Sequence, residues 1–353
     1  MSRFESSSLP EQQQAKRLLE AALVEGPVHA YLFHGPAGVG KRSLARAFAH
    51  ELLGMTRATH PDLYELDALG EMIRIDAIRE LHRDLHMRPF EADRRVYLIF
   101  SAQLMNEDAA DALLKDLEEP PSYAVIVLVA DDLGPIPETI RSRCQLVPFT
   151  RLSERAIRAA VDARAPELDE RSRAALARVA GGRLDRLSRL LDQNGSRRRD
   201  MLLAQARAVY DEPGFEPADA AAALLECARE RGAEAKELED VRVRGLELPA
   251  REAEQRVKRA QRGAEREELL AQLEELASWY RDLMVVGVGA EAAAVHVDRL
   301  EQLRLDATRE RLVGAERAAE AVRATWRRLE EFNLAPQLAL EALFVQVSRE
   351  LHA

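Results

Sequence analysis

The sequence predicts an α/β protein, a parallel sheet covered by helices, followed by all-helical segments. Three observations predict it. Between Ala30 and Phe149, five short β-type runs alternate with stretches of helical spacing. A glycine-rich G-x-x-x-x-G-K segment joins the first run to the first of those stretches. After Leu152 the β-type runs stop, while helical spacing continues to the end of the chain.

The elements follow in order. The β-type runs are AYLFH (30–34), DLYEL (62–66), RVYLIF (95–100), AVIVLVA (124–130) and QLVPF (145–149). Helical spacing covers Lys41 to Leu53, Asp76 to Met87 and Glu107 to Glu118. Strands separated by helices need crossover connections, which make neighbouring strands parallel. The run 124–130 is apolar throughout, as a strand buried on both faces must be. The helix at 107–118 opens with Asn106 as N-cap and acids in its first turn, and it stops at Pro120-Pro121. It buries Ala109, Leu113 and Leu117, or alternatively Ala110 and Leu114. Beyond Leu152, short amphipathic helices are broken at Gly181-Gly182 and Asn194-Gly195, with Ser153 and Ser196 as N-cap candidates. From Pro213 a charge-dense stretch (229–266) precedes an apolar face through Leu269, Leu273, Leu276, Tyr280 and Leu283. The segment FNLAPQLALEALFVQV (332–347) reads as core or as a partner surface. The expected domains are 1–150 (α/β), 151–212 (small, helical) and 213–353 (helical).

Composition narrows the function. At 353 residues the chain exceeds one ordinary core. A formal net charge of -10 argues against a dedicated nucleic-acid-binding domain. Two distant cysteines, Cys144 and Cys227, exclude both a four-thiolate zinc site and a disulfide framework. The start MSRFESSSLPEQQQ has no basic-then-apolar signal pattern, and the longest apolar run falls far short of the ~20 residues of a membrane helix. The expectation is a cytoplasmic protein with no membrane contact.

HGPAGVGKR (34–42) carries the chemistry. Gly35, Gly38 and Gly40 let backbone N–H groups turn around a phosphate, the following helix adds its positive end, and Lys41 reaches the outer phosphates. Hydrolysis asks for more: a hydroxyl after the lysine for magnesium, and an acid at the end of a neighbouring strand. Here Arg42 stands in the hydroxyl position, and RVYLIF is followed by Ser101-Ala102. The hydroxyl and the acid are missing together, and Arg42 puts a fixed cation where the metal would sit, so turnover of ATP by this chain is not expected. Arg42 either pairs phosphate oxygens in place of the metal, or it faces solvent or plugs the pocket. In TIRSRC (139–144), just before the last strand, Arg143 reads by itself as a surface arginine.

Taken together, HAYLFHGPAGVGKR, AADALLKDLEEPP and TIRSRC resemble the clamp-loader branch of the AAA+ ATPases, over roughly the first 150 residues. LEELASWYRDLMVV and NLAPQLALEALF in the tail resemble it more loosely. The resemblance implies a P-loop AAA+ domain, a helical lid and an all-α collar. It implies a place in a hetero-pentameric ring of clamp-loader subunits that loads the sliding clamp onto primed DNA. In such rings Arg143 would project into the ATP site of the adjacent subunit, and motor subunits carry Asp-Glu where this chain has Ser101-Ala102. The degenerate loop (Gly35, Gly38, Gly40, Lys41, Arg42) then implies a structural subunit with no required cofactor, ATP binding being left open. Many relatives hold a four-cysteine zinc module after the first helix; GMTRATHPDL (54–63) has no cysteine, so no zinc is expected. Asp111 replaces the usual Asn, and no nucleotide-sensing arginine is assignable around Asp185-Arg186. The competing readings are a motor subunit that hydrolyses ATP itself and a small-molecule P-loop kinase. The first is opposed by Arg42, Ser101 and Ala102, the second by the lack of an acceptor site.

Overall fold

The computed structural model describes residues 11–55, 60–68, 72–244, 250–331 and 334–352. Residues 56–59 of the cysteine-free segment, 245–249 of the charged stretch and 332–333 of the last apolar segment lie outside the described residues. The chain divides into two compact units, Met1–Ala156 with Gly182–Asp185, and Ile157–Gly181 with Arg186–Ala353.

The first unit alternates helix and strand: α1 (Gln13–Glu25), β1 (Ala30–His34), α2 (Lys41–Leu53), β2 (Leu63–Asp67), α3 (Ile75–Leu85), β3 (Arg95–Phe100), α4 (Glu107–Glu118), β4 (Ala124–Ala130), α5 (Glu138–Arg141) and β5 (Gln145–Pro148). The strands form one five-stranded sheet in the order β2-β3-β4-β1-β5, and all its pairings are parallel. The alternation of side chains along each strand sorts the core into two layers. Tyr31, Phe33, Val96, Leu98, Val125 and Val127 pack with Leu19 of α1 and Leu44 and Phe48 of α2. Leu32, Tyr97, Ile99, Ile126 and Leu128 pack with Ile78 and Leu81 of α3 and Leu113 and Leu117 of α4. β3, apolar after Arg95, and β4, apolar throughout, are buried at every position because both faces are covered.

Local chemistry sets the boundaries. The Asn106 side chain accepts from the Ala109 N–H at 3.1 Å and caps α4. That helix buries both alternatives for its inner face except Leu114, through Ala109, Ala110, Leu113 and Leu117. β2 starts at Leu63, one residue later than the apolar pattern suggests, although the Asp62 carbonyl still accepts from Val96 N–H of β3 at 2.9 Å. The Asp62 carboxylate accepts the backbone N–H groups of Phe90, Glu91 and Ala92 at 2.6–2.9 Å. α1 and the one-turn α5 go beyond the sequence reading.

The second unit is helical. Ser153 caps α6 (Glu154–Arg164) by accepting from Ala156 N–H at 3.1 Å. α7 (Glu170–Ala180) ends at Gly181 in the left-handed conformation. Then come α8 (Leu184–Leu190), α9 (Gly195–Asp211), α10 (Pro217–Arg244), α11 (Ala250–Gly287), α12 (Leu300–Asp306), α13 (Arg311–Glu331) and α14 (Pro336–His352). Ser196 is not a cap: α9 already begins at Gly195, with Asn194 at the cap position. The charge-dense stretch lies in α10 and α11, which pack against each other. Leu273, Leu276, Tyr280 and Leu283 are fully buried, and they share one core with Leu340, Phe344 and Val347 of α14. The apolar face read from the sequence is therefore core within this unit.

Charge is buried here too. Glu275, with no solvent exposure, accepts from Arg199 at 2.9 Å and from Arg189 at 3.1 Å. Arg199 also holds Asp298 at 2.6 Å.

Candidate functional site

The segment from Gly35 to Lys41 turns from the carboxyl end of β1 into α2, the edge of a parallel sheet where ligands collect. Gly35 has φ 138°, and a Cβ there would meet the Phe149 carbonyl oxygen at 2.2 Å. Gly38 has φ 71°, and a Cβ there would meet the Asp185 carboxylate at 1.7 Å. Gly35 is closed by a backbone neighbour, whereas at Gly38 the neighbour is the movable end of a side chain and the positive φ is what favours glycine. The Gly38 carbonyl accepts from Leu184 N–H at 2.7 Å, which holds the start of α8 on the loop.

Lys41 is buried, and its ammonium is already satisfied. Nζ donates to the carbonyl oxygens of Gly35 and Pro36 at 2.6 and 2.5 Å and pairs with Asp131 Oδ1 at 2.7 Å. Burial pulls its pKa below the ordinary lysine value; Asp131 and, more weakly, Asp185 pull it back up. Asp131 follows β4 directly and receives a bond from the Gln103 side chain, while its own N–H donates to Gln103 Oε1 at 3.1 Å. Beside it, burial and the Lys41 charge together lower the pKa of His34, so this imidazole is neutral at pH 7.

Arg42 is exposed, and its guanidinium is already paired. Its guanidinium grips Asp67 through two bonds of 2.5 and 3.1 Å, donates to Ser101 Oγ at 2.8 Å and lies 4.9 Å from the Phe100 ring centroid. Ser101 turns out of β3 in the left-handed conformation (φ 56°), and Ala102 is buried at the start of a 3₁₀ turn. The strand end that should offer an acid thus offers a hydroxyl, and that hydroxyl is taken by Arg42.

Arg143 lies elsewhere. It sits two residues before β5, at the amino end of a strand parallel to β1, whereas the loop follows the carboxyl end of β1. The five residues read as the loop come together, and Arg143 is on the opposite edge of the same sheet. It donates to Glu118 Oε1 at 2.6 Å and to the Thr139 carbonyl at 2.9 Å, and about a third of its side chain is exposed. The adjoining Cys144 thiol is pushed up to about 12 by burial, which leaves it an unreactive thiol. Arg186 is buried and pairs with Glu274 of α11 at 3.0 Å.

The sequence reading missed the acids. Asp67 and Asp131 meet Arg42 and Lys41, Asp185 lies where a Cβ on Gly38 would stand, and none was given a role. A signal existed for two of them: Asp67 ends β2 and Asp131 follows β4, so inspecting the residues at each strand's carboxyl end finds them. Asp185 arrives from a distant helix and has no such signal.

A parallel sheet with a G-x-x-x-x-G-K loop between its β1 and α2 defines the P-loop class. Residues 11–153 match the family described as DNA polymerase III, delta subunit. The chain is 35% identical over 200 residues to DNA polymerase III subunit tau of Bacillus subtilis, covering 50% of this chain and 35% of that one. It is 38% identical over 135 residues to DNA polymerase III subunit delta' of Pseudomonas aeruginosa, covering 33% of this chain and 41% of that one. A DNA polymerase III gamma subunit-related protein of Thermotoga maritima superposes with a TM-score of 0.49 at 18% identity, covering 97% of this chain and 100% of that one. The likeness to DNA polymerase III subunits is thus carried by part of the chain, with the family match confined to residues 11–153. The matched parts span 35% and 41% of the length of the two curated relatives. Among the described residues, no helix is long and apolar enough to cross a membrane.

Proposed function

We propose that this chain is a non-hydrolysing, delta-prime-type subunit of a DNA polymerase III clamp loader. It takes one position in a hetero-pentameric ring with other clamp-loader subunits, which loads the sliding clamp onto primed DNA, and it lends Arg143 to a neighbour's ATP site. The observation that carries the reading is the internal neutralisation of the loop. Lys41 is paired with Asp131 and Arg42 with Asp67, so both cations that would meet a triphosphate already have carboxylate partners. A magnesium ion has no hydroxyl from residue 42, and Arg42 occupies the Asp67 carboxylate.

The placement of Arg143 supports use in trans. An arginine at the amino edge of the sheet cannot serve a loop at the carboxyl edge of the same sheet, but it can serve another subunit. Its tie to Glu118 is no obstacle, because an ion pair this exposed contributes about 0.2–1 kcal/mol. The second reading is a gamma/tau-like motor subunit. It is favoured by the tau relative, whose match is the longer one, and opposed by Arg42, Ser101 and Ala102.

Two measurements separate the readings. The isolated chain should show no magnesium-dependent ATP turnover; turnover that disappears in Lys41→Ala would establish the motor reading instead. A loader reconstituted with Arg143→Ala should assemble normally and lose turnover at one site. An arginine supplied in trans is worth about 10³ to 10⁵ in rate, or about 4 to 7 kcal/mol of barrier. Wild-type turnover and clamp loading in a fully assembled ring would return Arg143 to an ordinary surface role.

A further inference from the structure

The last turn of α3 carries His82, and His86 follows immediately at its C-cap. Four residues apart, the two imidazoles share one face, with ring centroids 4.5 Å apart. Opposite them, from α4, comes Asp116, which is 1% exposed. Its Oδ1 accepts from His82 Nδ1 at 2.6 Å, while its Oδ2 is buried with no hydrogen-bond partner. His86 Nδ1 faces the His82 carbonyl at 3.0 Å. Both Nδ1 atoms face acceptors and so carry the hydrogens, which leaves the Nε2 lone pair of each imidazole to accept.

We propose that His82 and His86, with Asp116 behind them, form a binding site for a divalent transition-metal ion, with zinc as the best fit. Two imidazoles presenting Nε2, one of them held by a buried carboxylate, are the arrangement in which histidines ligate metal. One donor atom from each of the three residues lies within 4.8 Å of the others. Two imidazole nitrogens about 2.1 Å from one tetrahedral ion stand ~3.4 Å apart, a closure that exposed histidine side chains reach by small rotations, while Asp116 stays on His82 Nδ1 outside the coordination shell. A dication beside Asp116 also compensates a carboxylate that is buried with half of its hydrogen-bonding capacity unused. Imidazole and carboxylate donors suit zinc, nickel or copper better than calcium or magnesium.

The ordinary use of histidines at a helix C-terminus is to complement the helix dipole. That use accounts for neither the burial of Asp116 nor its unpartnered oxygen. The site lies at the C-terminal ends of α3 and α4, whereas the phosphate loop lies at the N-terminal end of α2. Its ligands also differ from those of the four-cysteine zinc module whose absence the sequence predicts. Exposed imidazoles leave coordination positions for water, so the ion should exchange rather than be locked in.

The test is calorimetric titration of the untagged full chain with zinc, and with cobalt to read coordination from its absorption. One ion per chain is expected. His82→Ala and His86→Ala should each weaken binding at least tenfold, and Asp116→Asn about 10- to 100-fold through loss of the orienting bond. The two histidines are exposed, so their variants stay folded even if Asp116→Asn does not. Failure of the wild-type chain to bind zinc, or wild-type affinity in the His82→Ala/His86→Ala double variant, would overturn the proposal.

Discussion

Replacing Asp131 with asparagine should make the loop a better nucleotide binder. In the wild-type chain a phosphate must displace the carboxylate that sits 2.7 Å from Lys41 Nζ. A charge-assisted hydrogen bond contributes about 1.5–3 kcal/mol. Asp131 is roughly half exposed, so the lower end applies. About 1.4 kcal/mol corresponds to a factor of ten, so Asp131→Asn should tighten ATP or ADP binding by about tenfold. The carbonyl contacts of Gly35 and Pro36 remain, which keeps full P-loop affinity out of reach of this one change. Fluorescence anisotropy of a labelled nucleotide at fixed salt, with and without magnesium, measures the effect. Adding Lys41→Ala to Asp131→Asn should erase the gain, because the freed ammonium is its source. Equal or weaker binding by Asp131→Asn would refute the claim that the loop is blocked by its own acid.

Two predictions concern stability. Glu275→Gln should cost about 3–5 kcal/mol in a thermal or urea melt, since it leaves Arg199 and Arg189 facing a buried neutral amide; a change under ~1 kcal/mol would show that the network is dispensable. Acid should weaken the α/β unit through Asp62: burial raises its pKa, but the three backbone N–H donors outweigh that and hold it below the ordinary 3.8. Its contribution is therefore complete above 3.8 and is lost as pH falls through the lower folded value, so the stability gap between wild type and Asp62→Asn should close in that window.

The sheet was legible in the sequence because each strand is short, apolar and punctuated, and because crossover helices permit only parallel pairing. β1, β3 and β4 coincide with the apolar runs that announced them. Where the reading slipped, a polar side chain had a task the pattern does not display. Asp62 sits just before β2 and uses its carboxylate to bind the 90–92 backbone. Ser196 looks like a cap, yet α9 starts one residue before it. The apolar faces of α11 and α14 could be read as core or as partner surface, since burial against one's own chain and against another use the same residues. Only the packing of Leu273 and Phe344 into one cluster decides between them.

The loop shows the same limit in sharper form. Its seven-residue pattern is local, so the sequence revealed it at once, along with the missing hydroxyl and acids. What the sequence could not reveal is where Arg42 and Lys41 spend their charges, because those partners lie 25 and 90 residues away. An unpaired Arg42 would have been an added cation, consistent with tighter binding of an anion without metal. Gripped by Asp67 and Ser101 it is neutralised, and the same local sequence has the opposite consequence. A missing magnesium ligand alone removes turnover and can leave binding intact. On the proposed reading, carboxylates placed on both loop cations weaken binding itself, and the nucleotide affinity of Asp131→Asn is the measurement that decides whether the loop is scaffold or site.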